Sequence, residues 1–116
     1  MIPKNILFRL DQKNIKFDIV ITLSNNSLLL GSDISKKYNI LLEHINMIDN
    51  KDVSYGKLNY NYYSGKKILI VDKLYNYERL NNLVNLLFSN TIDSNIYVIK
   101  FFENNRFDFD NRIILV

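Results

Sequence analysis

The residues best suited to form a binding surface are the tyrosines and cations that alternate between positions 55 and 79. The tyrosines stand at positions 55, 60, 62, 63, 75 and 77, and the cations among them are Lys57, Lys66, Lys67, Lys73 and Arg79. Aromatic rings interleaved with cations can stack the bases of single-stranded nucleic acid. Tyrosine is also enriched in protein interfaces, because it combines a large contact area with a hydrogen-bonding tip. The small net charge of +3 favours protein contact.

Few residues have the spacing that catalysis or metal binding requires. His44 is the only histidine and no Ser or Cys nucleophile motif accompanies it, so a structural role is favoured. Without cysteine, a zinc site has too few ligands. Glu103, Asp108 and Asp110 could hold a hard cation, but alternating Asp and Phe is more simply a strand with one wet face. The segment 64–67, Ser-Gly-Lys-Lys, lacks P-loop spacing. We therefore expect no catalytic residue, no cofactor, no metal and no enzyme.

The composition is that of one globular domain. The 116 residues are 47% hydrophobic and 13% aromatic, with three glycines, one proline and no cysteine. The chain contains no apolar run of eighteen residues and its N-terminus lacks the layout of a signal peptide. We expect an intracellular protein, cytoplasmic or nuclear, that does not bind membranes. The abundance of Asn, Ile, Lys and Tyr is typical of an A/T-rich, for example viral, genome.

The strongest local prediction is a helix from Asn76 to Asn90. Asn76 is a good N-cap, Glu78 lies in the first turn, and Asn90 can adopt the left-handed terminating conformation. The apolar residues recur at spacings of three and four, which predicts one buried face that consists of Tyr77, Leu80, Leu83, Val84, Leu87 and Phe88. Asn82 and Asn85 should point to solvent or into a partner. Just before this helix, the β-branched run 67–72 predicts a strand that is buried on both faces.

The sequence also predicts further strands and a second helix outside this segment. Ile6 to Leu10 predicts a short strand, Phe17 to Leu23 a stronger one, and Leu28 to Leu30 a strand that returns as its hairpin partner. A second helix-period stripe runs from Ile34 to about Met47. The Tyr-rich segment 50–66 predicts an edge strand or hairpin arm that pairs with 67–72. Two further strands are predicted at 95–102 and 107–116.

Two blocks of this sequence resemble BTB/POZ domains. In the first, Phe17-Asp18-Ile19-Val20-Ile21 is similar to the opening strand of that family, Leu28-Leu29 to the return strand, and Asn39-x-Leu41-Leu42-x-x-Ile45 to the helix. In the second, the segment 67–90 is similar to the family's late strand and helix. The chain departs from the family pattern at Gly31-Ser32, where a His-Lys pair is typical. It is therefore identified as a divergent member, of the branch that includes elongin C.

The resemblance implies a function and a set of surface residues. It implies an α+β fold, a small mixed sheet with helical hairpins packed on it, over 1–116. The resemblance does not explain the atypical β-rich tail predicted at about 95–116, which either docks in the sheet or belongs to a longer protein. It implies a non-enzymatic protein-interaction module that forms homodimers or higher oligomers, or acts as an adaptor. The alternative, which rests on the Tyr/Lys-rich surface, is a small single-stranded nucleic-acid binder. Cullin-binding members carry an acidic element, to which Met47-Ile48-Asp49 is the nearest approach. The candidate interaction surface is Tyr55, Tyr60, Tyr62, Tyr63, Lys66, Lys67, Tyr75, Arg79, Met47 and Asp49.

Overall fold

A five-stranded sheet, parallel throughout, forms the centre of the protein. The structure is a computed structural model, and it describes residues 4–45, 47–48, 51–52, 60–73, 77–101 and 113–116. The helices are α1 (Lys4–Lys13), α2 (Leu28–Tyr38), α3 (Tyr60–Tyr63) and α4 (Tyr77–Asn90), with a 3-10 turn at Asn25–Ser27. The strands are β1 (Ile19–Leu23), β2 (Leu41–Ile45), β3 (Met47–Ile48), β4 (Lys51–Asp52), β5 (Lys67–Val71), β6 (Asn95–Val98) and β7 (Ile114–Leu115).

The sheet has the strand order β2-β1-β5-β6-β7. Alternate residues of each central strand point to opposite faces, so each strand supplies two separate cores. One core holds Ile19, Ile21 and Ile70 against α4. The other holds Val20 and Leu69 against α1 and α2. Every residue of β1 is buried, as expected for a parallel strand that is covered by helices on both faces.

The structure confirms the predicted strands at 17–23 and 67–72, which are β1 and β5, and the predicted helix at 76–90, which is α4. Of the predicted buried face, Leu80, Leu83, Val84 and Leu87 are fully buried, whereas Phe88 is half-buried and Tyr77 is exposed, which contradicts the prediction for Tyr77. Asn82 and Asn85 are exposed, as predicted. Asn76 lies outside the described residues. Asn90 ends α4 without adopting the left-handed conformation, because its side-chain amide donates to the Leu86 carbonyl at 2.8 Å.

Several other local predictions are wrong. Residues 6–10 are helical, because Ile6 and Leu10 lie one turn apart and both bury their side chains. Residues 28–30 begin α2 instead of returning as a strand. That helix ends at Tyr38, since Asn39 takes a left-handed conformation with φ 54°, and the predicted helix through 41–45 is the edge strand β2. Apolar runs this short fit the spacing of a helix and of a strand alike.

The expected arm at 50–66 does not pair with 67–72 in the described part of the chain. Lys51–Asp52 pairs with Met47–Ile48, Tyr60–Tyr63 is helical, and β5 lies between β1 and β6. The strand predicted at 95–102 is β6, and the end of the 107–116 prediction is β7; residues 102–112 lie outside the described residues. The fold is therefore α/β, and the expected α+β arrangement with a mixed sheet is wrong. In the described segments, no helix combines the length and the apolar character needed to cross a membrane.

Truncating the buried face of α4 should destabilise the protein. Leu83 and Leu87 are fully buried, so Leu83→Ala or Leu87→Ala should lower the free energy of unfolding by about 2 to 5 kcal/mol. Asn82→Ala and Asn85→Ala are the matched controls on the exposed face, with an expected change within about 1 kcal/mol. Urea melts of the four variants measure the difference. A larger loss for Asn85→Ala than for Leu87→Ala would contradict the assignment of the buried face.

Gly31 allows α2 to approach β1 closely, so Gly31→Ala should be destabilising. A methyl group at this position would overlap the Thr22 methyl carbon, and Leu42 Cδ1 would lie 3.3 Å away. We expect a loss of about 1 to 3 kcal/mol in urea melts, the range typical of overpacking. Thr22→Ser removes that methyl and keeps the hydroxyl, so the cost of Gly31→Ala should be smaller in a Thr22→Ser background. An equal cost in both backgrounds would show that the helix is not held against Thr22.

Candidate functional site at the carboxyl ends of strands β1 and β5

The crevice between the ends of β1 and β5 is where the topology of the sheet changes direction. From β1 the chain moves outward through α2 to β2, and from β5 it moves the opposite way through α4 to β6. The two helices lie on opposite faces of the sheet. In open parallel sheets, ligands bind outside the carboxyl ends of the strands at such a switch point. We therefore take this crevice, which is formed by residues 24–27 and 72–73, as the candidate site.

The loop that follows β1 has an unusual backbone. Ser24 has φ 76° and ψ 152°, a region that is almost restricted to glycine and costs about 1 to 3 kcal/mol for other residues. Its hydroxyl lies 3.1 Å from that of Ser27, and Ser27 Oγ accepts a hydrogen bond from the Lys73 N–H at 2.7 Å. Ser27 is buried. The loops that follow β1 and β5 are therefore fixed against each other through one buried hydroxyl.

Two helices begin at this edge of the sheet. The 3-10 turn leads directly into α2. Ser24 precedes the turn and Ser27 precedes α2, and within the described residues neither serine caps its helix with a side-chain hydrogen bond. Helix α4 begins at Tyr77, five residues after Asp72. Each helix start carries partial positive charge, which favours an anion. Lys73, whose backbone is bonded to Ser27, adds a full positive charge to the loop that follows β5.

His44 connects the edge strand β2 to this loop. Its Nδ1 lies 2.7 Å from Thr22 Oγ1, and its Nε2 lies 3.3 Å from Asn25 Oδ1. Because an amide oxygen only accepts, Nε2 donates to Asn25, and the hydroxyl of Thr22 can serve Nδ1 as donor or as acceptor. The ring is half-buried on a strand, instead of lying on the predicted helix. Its observed role is to orient Asn25.

A buried ion pair holds the end of β5 to the start of α4. Asp72 accepts two hydrogen bonds from Arg79, from Nε at 3.1 Å and from Nη2 at 2.6 Å. The exposed fractions of the two side chains are 0% for Asp72 and 8% for Arg79. A two-pronged bond of this kind fixes both the distance and the orientation of its partners. Residue 73 is therefore held in place from Asp72 on one side and from Ser27 on the other.

The structure does not bring the predicted interaction surface together. Tyr63 and Arg79 are buried, the first beneath α4 and the second in the ion pair. Tyr62 is exposed, and the ammonium of Lys66 lies 5.4 Å from its ring centre. Tyr60 is half-buried, and Lys67 is the first residue of β5. Met47 lies on β3, and the remaining three predicted residues lie outside the described residues; these are Asp49, Tyr55 and Tyr75.

Of the residues that form the crevice, sequence analysis named only Lys73 as a possible binding residue and missed the others. Ser24, Asn25 and Ser27 follow β1, and Asp72 and Lys73 follow β5. Both strands were predicted, and in each case polar residues follow a fully apolar run, which is a usable signal. The missing information was that the two strands run in parallel, because only parallel strands bring their carboxyl ends to one edge.

A cavity of about 340 Å³ at the opposite, amino edge of the sheet is lined by residues that include Leu10, Asp11, Phe17, Lys37 and Tyr38. Its polar groups satisfy one another, since Asp11 accepts from Tyr38 Oη at 2.7 Å and pairs with Lys37 Nζ at 2.5 Å. The hydrogen bonds from Lys37 and then Tyr38 hold the pKa of the Asp11 carboxyl below its usual value of 3.8. Burial and the bond to Asp11 raise the pKa of Tyr38.

Comparison with known proteins identifies the fold. No protein-family model and no curated protein matches the chain. A solved structure of a hypothetical protein from Neisseria gonorrhoeae with bound ppGpp is similar over 97% of this chain and 72% of that one, with a TM-score of 0.72 and 12% identity. A purine phosphoribosyltransferase from Pyrococcus horikoshii Ot3 is similar over 97% of this chain and 85% of that one, with a TM-score of 0.61 and 16% identity. The chain shares its fold with both proteins.

These similarities overturn the BTB/POZ assignment and what followed from it. The matched structures are a ppGpp-binding protein and a purine phosphoribosyltransferase, so the expected interaction module, homo-oligomer or adaptor is wrong. The matched structures do not support the alternative of a single-stranded nucleic-acid binder either, and in the described part of the chain Tyr63 and Arg79 of the Tyr/Lys surface are buried. The expectation that the chain is not an enzyme is also contradicted, since one neighbour with this fold is an enzyme.

Breaking the buried ion pair should destabilise the protein strongly. Asp72→Asn removes the charge that compensates Arg79, and we expect a loss of about 3 to 5 kcal/mol in urea melts. The double variant Asp72→Asn with Arg79→Met removes both charges, so it should be more stable than Asp72→Asn alone. If the double variant is the less stable of the two, the cost of Asp72→Asn does not come from an uncompensated charge.

Proposed function

We propose that the chain binds a small phosphate-bearing nucleotide in the crevice at the carboxyl ends of β1 and β5. The observation that carries this proposal is the 2.7 Å hydrogen bond from the Lys73 N–H to Ser27 Oγ. It joins the start of α2 to the loop that leads into α4, so that two helix starts and the Lys73 ammonium serve one anion. A phosphate group suits such a position, because backbone N–H groups and a cation stabilise it together.

The side chains around the crevice have separate roles in this proposal. Asn25 is held by His44, so its amide group is oriented before a ligand arrives. The Asp72 carboxylate is neutralised by Arg79, and it therefore does not repel a phosphate group. The unusual conformation of the loop is that of the Ser24 backbone itself. A site whose donors are fixed in advance loses less conformational entropy on binding, which raises affinity.

The matched structures support a nucleotide as the ligand. One contains bound ppGpp, a guanosine nucleotide with phosphates at two positions, and the other is a purine phosphoribosyltransferase. Both share their fold with this chain over 97% of its length. The switch-point crevice is a feature of the fold, so we place the nucleotide phosphate there.

Phosphoribosyl transfer to a purine is the second candidate function, and the similarity to the Pyrococcus horikoshii Ot3 enzyme favours it. Binding without transfer is preferred on one observation. Both oxygens of Asp72, the acidic residue at the end of β5, accept hydrogen bonds from Arg79. A carboxylate bound through both oxygens to one guanidinium is held in place by it, which leaves the carboxylate less able to turn toward a substrate.

Calorimetric titration with GMP, GDP and ppGpp tests the proposal. Lys73→Gln should weaken binding by about tenfold or more, which corresponds to the loss of about 1.4 kcal/mol from one charge-assisted contact. Lys36→Gln, which changes an exposed lysine near the far end of α2, is the matched control and should bind like the wild type. Absence of binding for all three nucleotides, or equal binding by Lys73→Gln, would refute a phosphate site in this crevice.

An assay for transfer separates the two candidate functions. The protein is incubated with phosphoribosyl pyrophosphate, a divalent cation and each common purine base, and formation of the nucleotide is followed by chromatography. Binding without turnover supports the first function. Turnover that is lost in Lys73→Gln and retained in Lys36→Gln would establish the second.

A further inference from the structure

A separate cavity of about 290 Å³ lies on the α1 face of the sheet, beside the outer strands β6 and β7. The described residues that line it are Arg9, Lys13, Lys100, Phe101, Leu115 and Val116. Its walls therefore combine three cations with three apolar side chains. The strand order is β2-β1-β5-β6-β7. The cavity lies beside β6 and β7, on the side of β5 away from β1, so it is distinct from the crevice between β1 and β5.

Arg9 is held at this cavity with part of its hydrogen-bonding capacity unused. Its Nη2 donates to the Lys100 carbonyl at 2.5 Å, which fixes the guanidinium against the segment that follows β6. Its Nε is buried and finds no acceptor among the described residues. A buried donor without an acceptor costs about 1 to 3 kcal/mol, so such groups are rare in native proteins. The guanidinium group to which this atom belongs lines the cavity.

The three cations are not neutralised within the described part of the chain. The ion pairs there join Lys37 to Asp11 and Arg79 to Asp72, and neither includes a residue of this cavity. Lys13 lies in the last turn of α1, where a cation also stabilises the helix end. Stabilisation of the helix end does not explain the charge of Arg9, which is in the middle of the helix, or of Lys100, which lies outside it.

We propose that this cavity is a second anion site, which takes a small phosphate-class anion such as phosphate, pyrophosphate or the phosphate group of a phosphorylated metabolite. The groups that would hold the anion are the Arg9 guanidinium and the ammonium groups of Lys13 and Lys100, since these three residues line the cavity. Arginine suits phosphate because its planar fork matches the geometry of the oxygens. The volume is close to the lower limit of ligand pockets, which favours a small anion. Phe101, Leu115 and Val116 form the apolar part of the cavity wall.

Inorganic pyrophosphate is the probe, and the full chain labelled with ¹⁵N is the sample. Titration followed by NMR should shift the backbone amide signals of Arg9, Lys13, Lys100 and Phe101. Lys13→Gln with Lys100→Gln should weaken pyrophosphate binding at these residues at least tenfold, and affinity should fall as salt is added. Arg9→Lys keeps the charge but not the fork, so it should weaken binding less than the double variant does. Lys36→Gln is the control and should behave as the wild type.

The outcomes separate this inference from the proposed nucleotide site. If pyrophosphate shifts only the signals of Asn25, Ser27 and Lys73, the second site is refuted and the crevice stands. If it shifts the cavity signals and Lys73→Gln leaves that response unchanged, the second site is supported whatever the nucleotide titrations give. Absence of shifts at both places, or equal cavity binding by the double lysine variant, overturns the inference. Thermal melts confirm that each variant is folded before it is titrated.

Discussion

The parallel pairing of β1 with β5 is the constraint on which the remaining structure depends. The pair has Ile19 beside Ile68 and Thr22 beside Val71, and its apolar side chains are fully buried on both faces. Parallel strands cannot be joined by a tight turn, so each must be followed by a long crossover, and the crossovers here contain helices. Because such crossovers are right-handed, the helices that follow β1 and β5 cover opposite faces of the sheet.

This pairing also creates the candidate site. It places the loops that follow two strands at one edge, where Ser27 accepts from Lys73 and the Asp72 to Arg79 ion pair fixes the start of α4. The strained backbone at Ser24 is tolerated because the surrounding contacts determine its position. Stability and the proposed binding thus depend on the same few polar contacts. A substitution that unfolds the protein must be distinguished from a substitution that only prevents ligand binding. Substitution of Lys73 is therefore a more informative test of the site than substitution of Asp72.

The second anion site depends on a different part of the same sheet. It uses α1, which precedes β1, and the segments at the ends of β6 and β7. Arg9 joins these parts through the carbonyl of Lys100. The two proposed sites would both bind phosphate groups, although they are separated in the sheet and share no residue. Binding at one proposed site can therefore be measured in a variant whose substitutions remove the other site.

The sequence by itself determined the strands β1, β5 and β6 and the helix α4 with its buried and exposed faces, because each has a strong local pattern. It did not determine α1, α2 or β2, since the runs Ile6 to Leu10, Leu28 to Leu30 and Leu41 to Ile45 satisfy helix and strand periods alike. Nor did it determine that β1 and β5 run side by side in parallel, because they are paired across more than forty residues and no local pattern records strand direction. The BTB resemblance fitted β1, β5 and α4, but its return strand at Leu28-Leu29, its helix at 39–45 and the arrangement of the elements were wrong. Only the tertiary structure brought Ser27 to Lys73 and Arg9 to Lys100, and those contacts define both proposed sites.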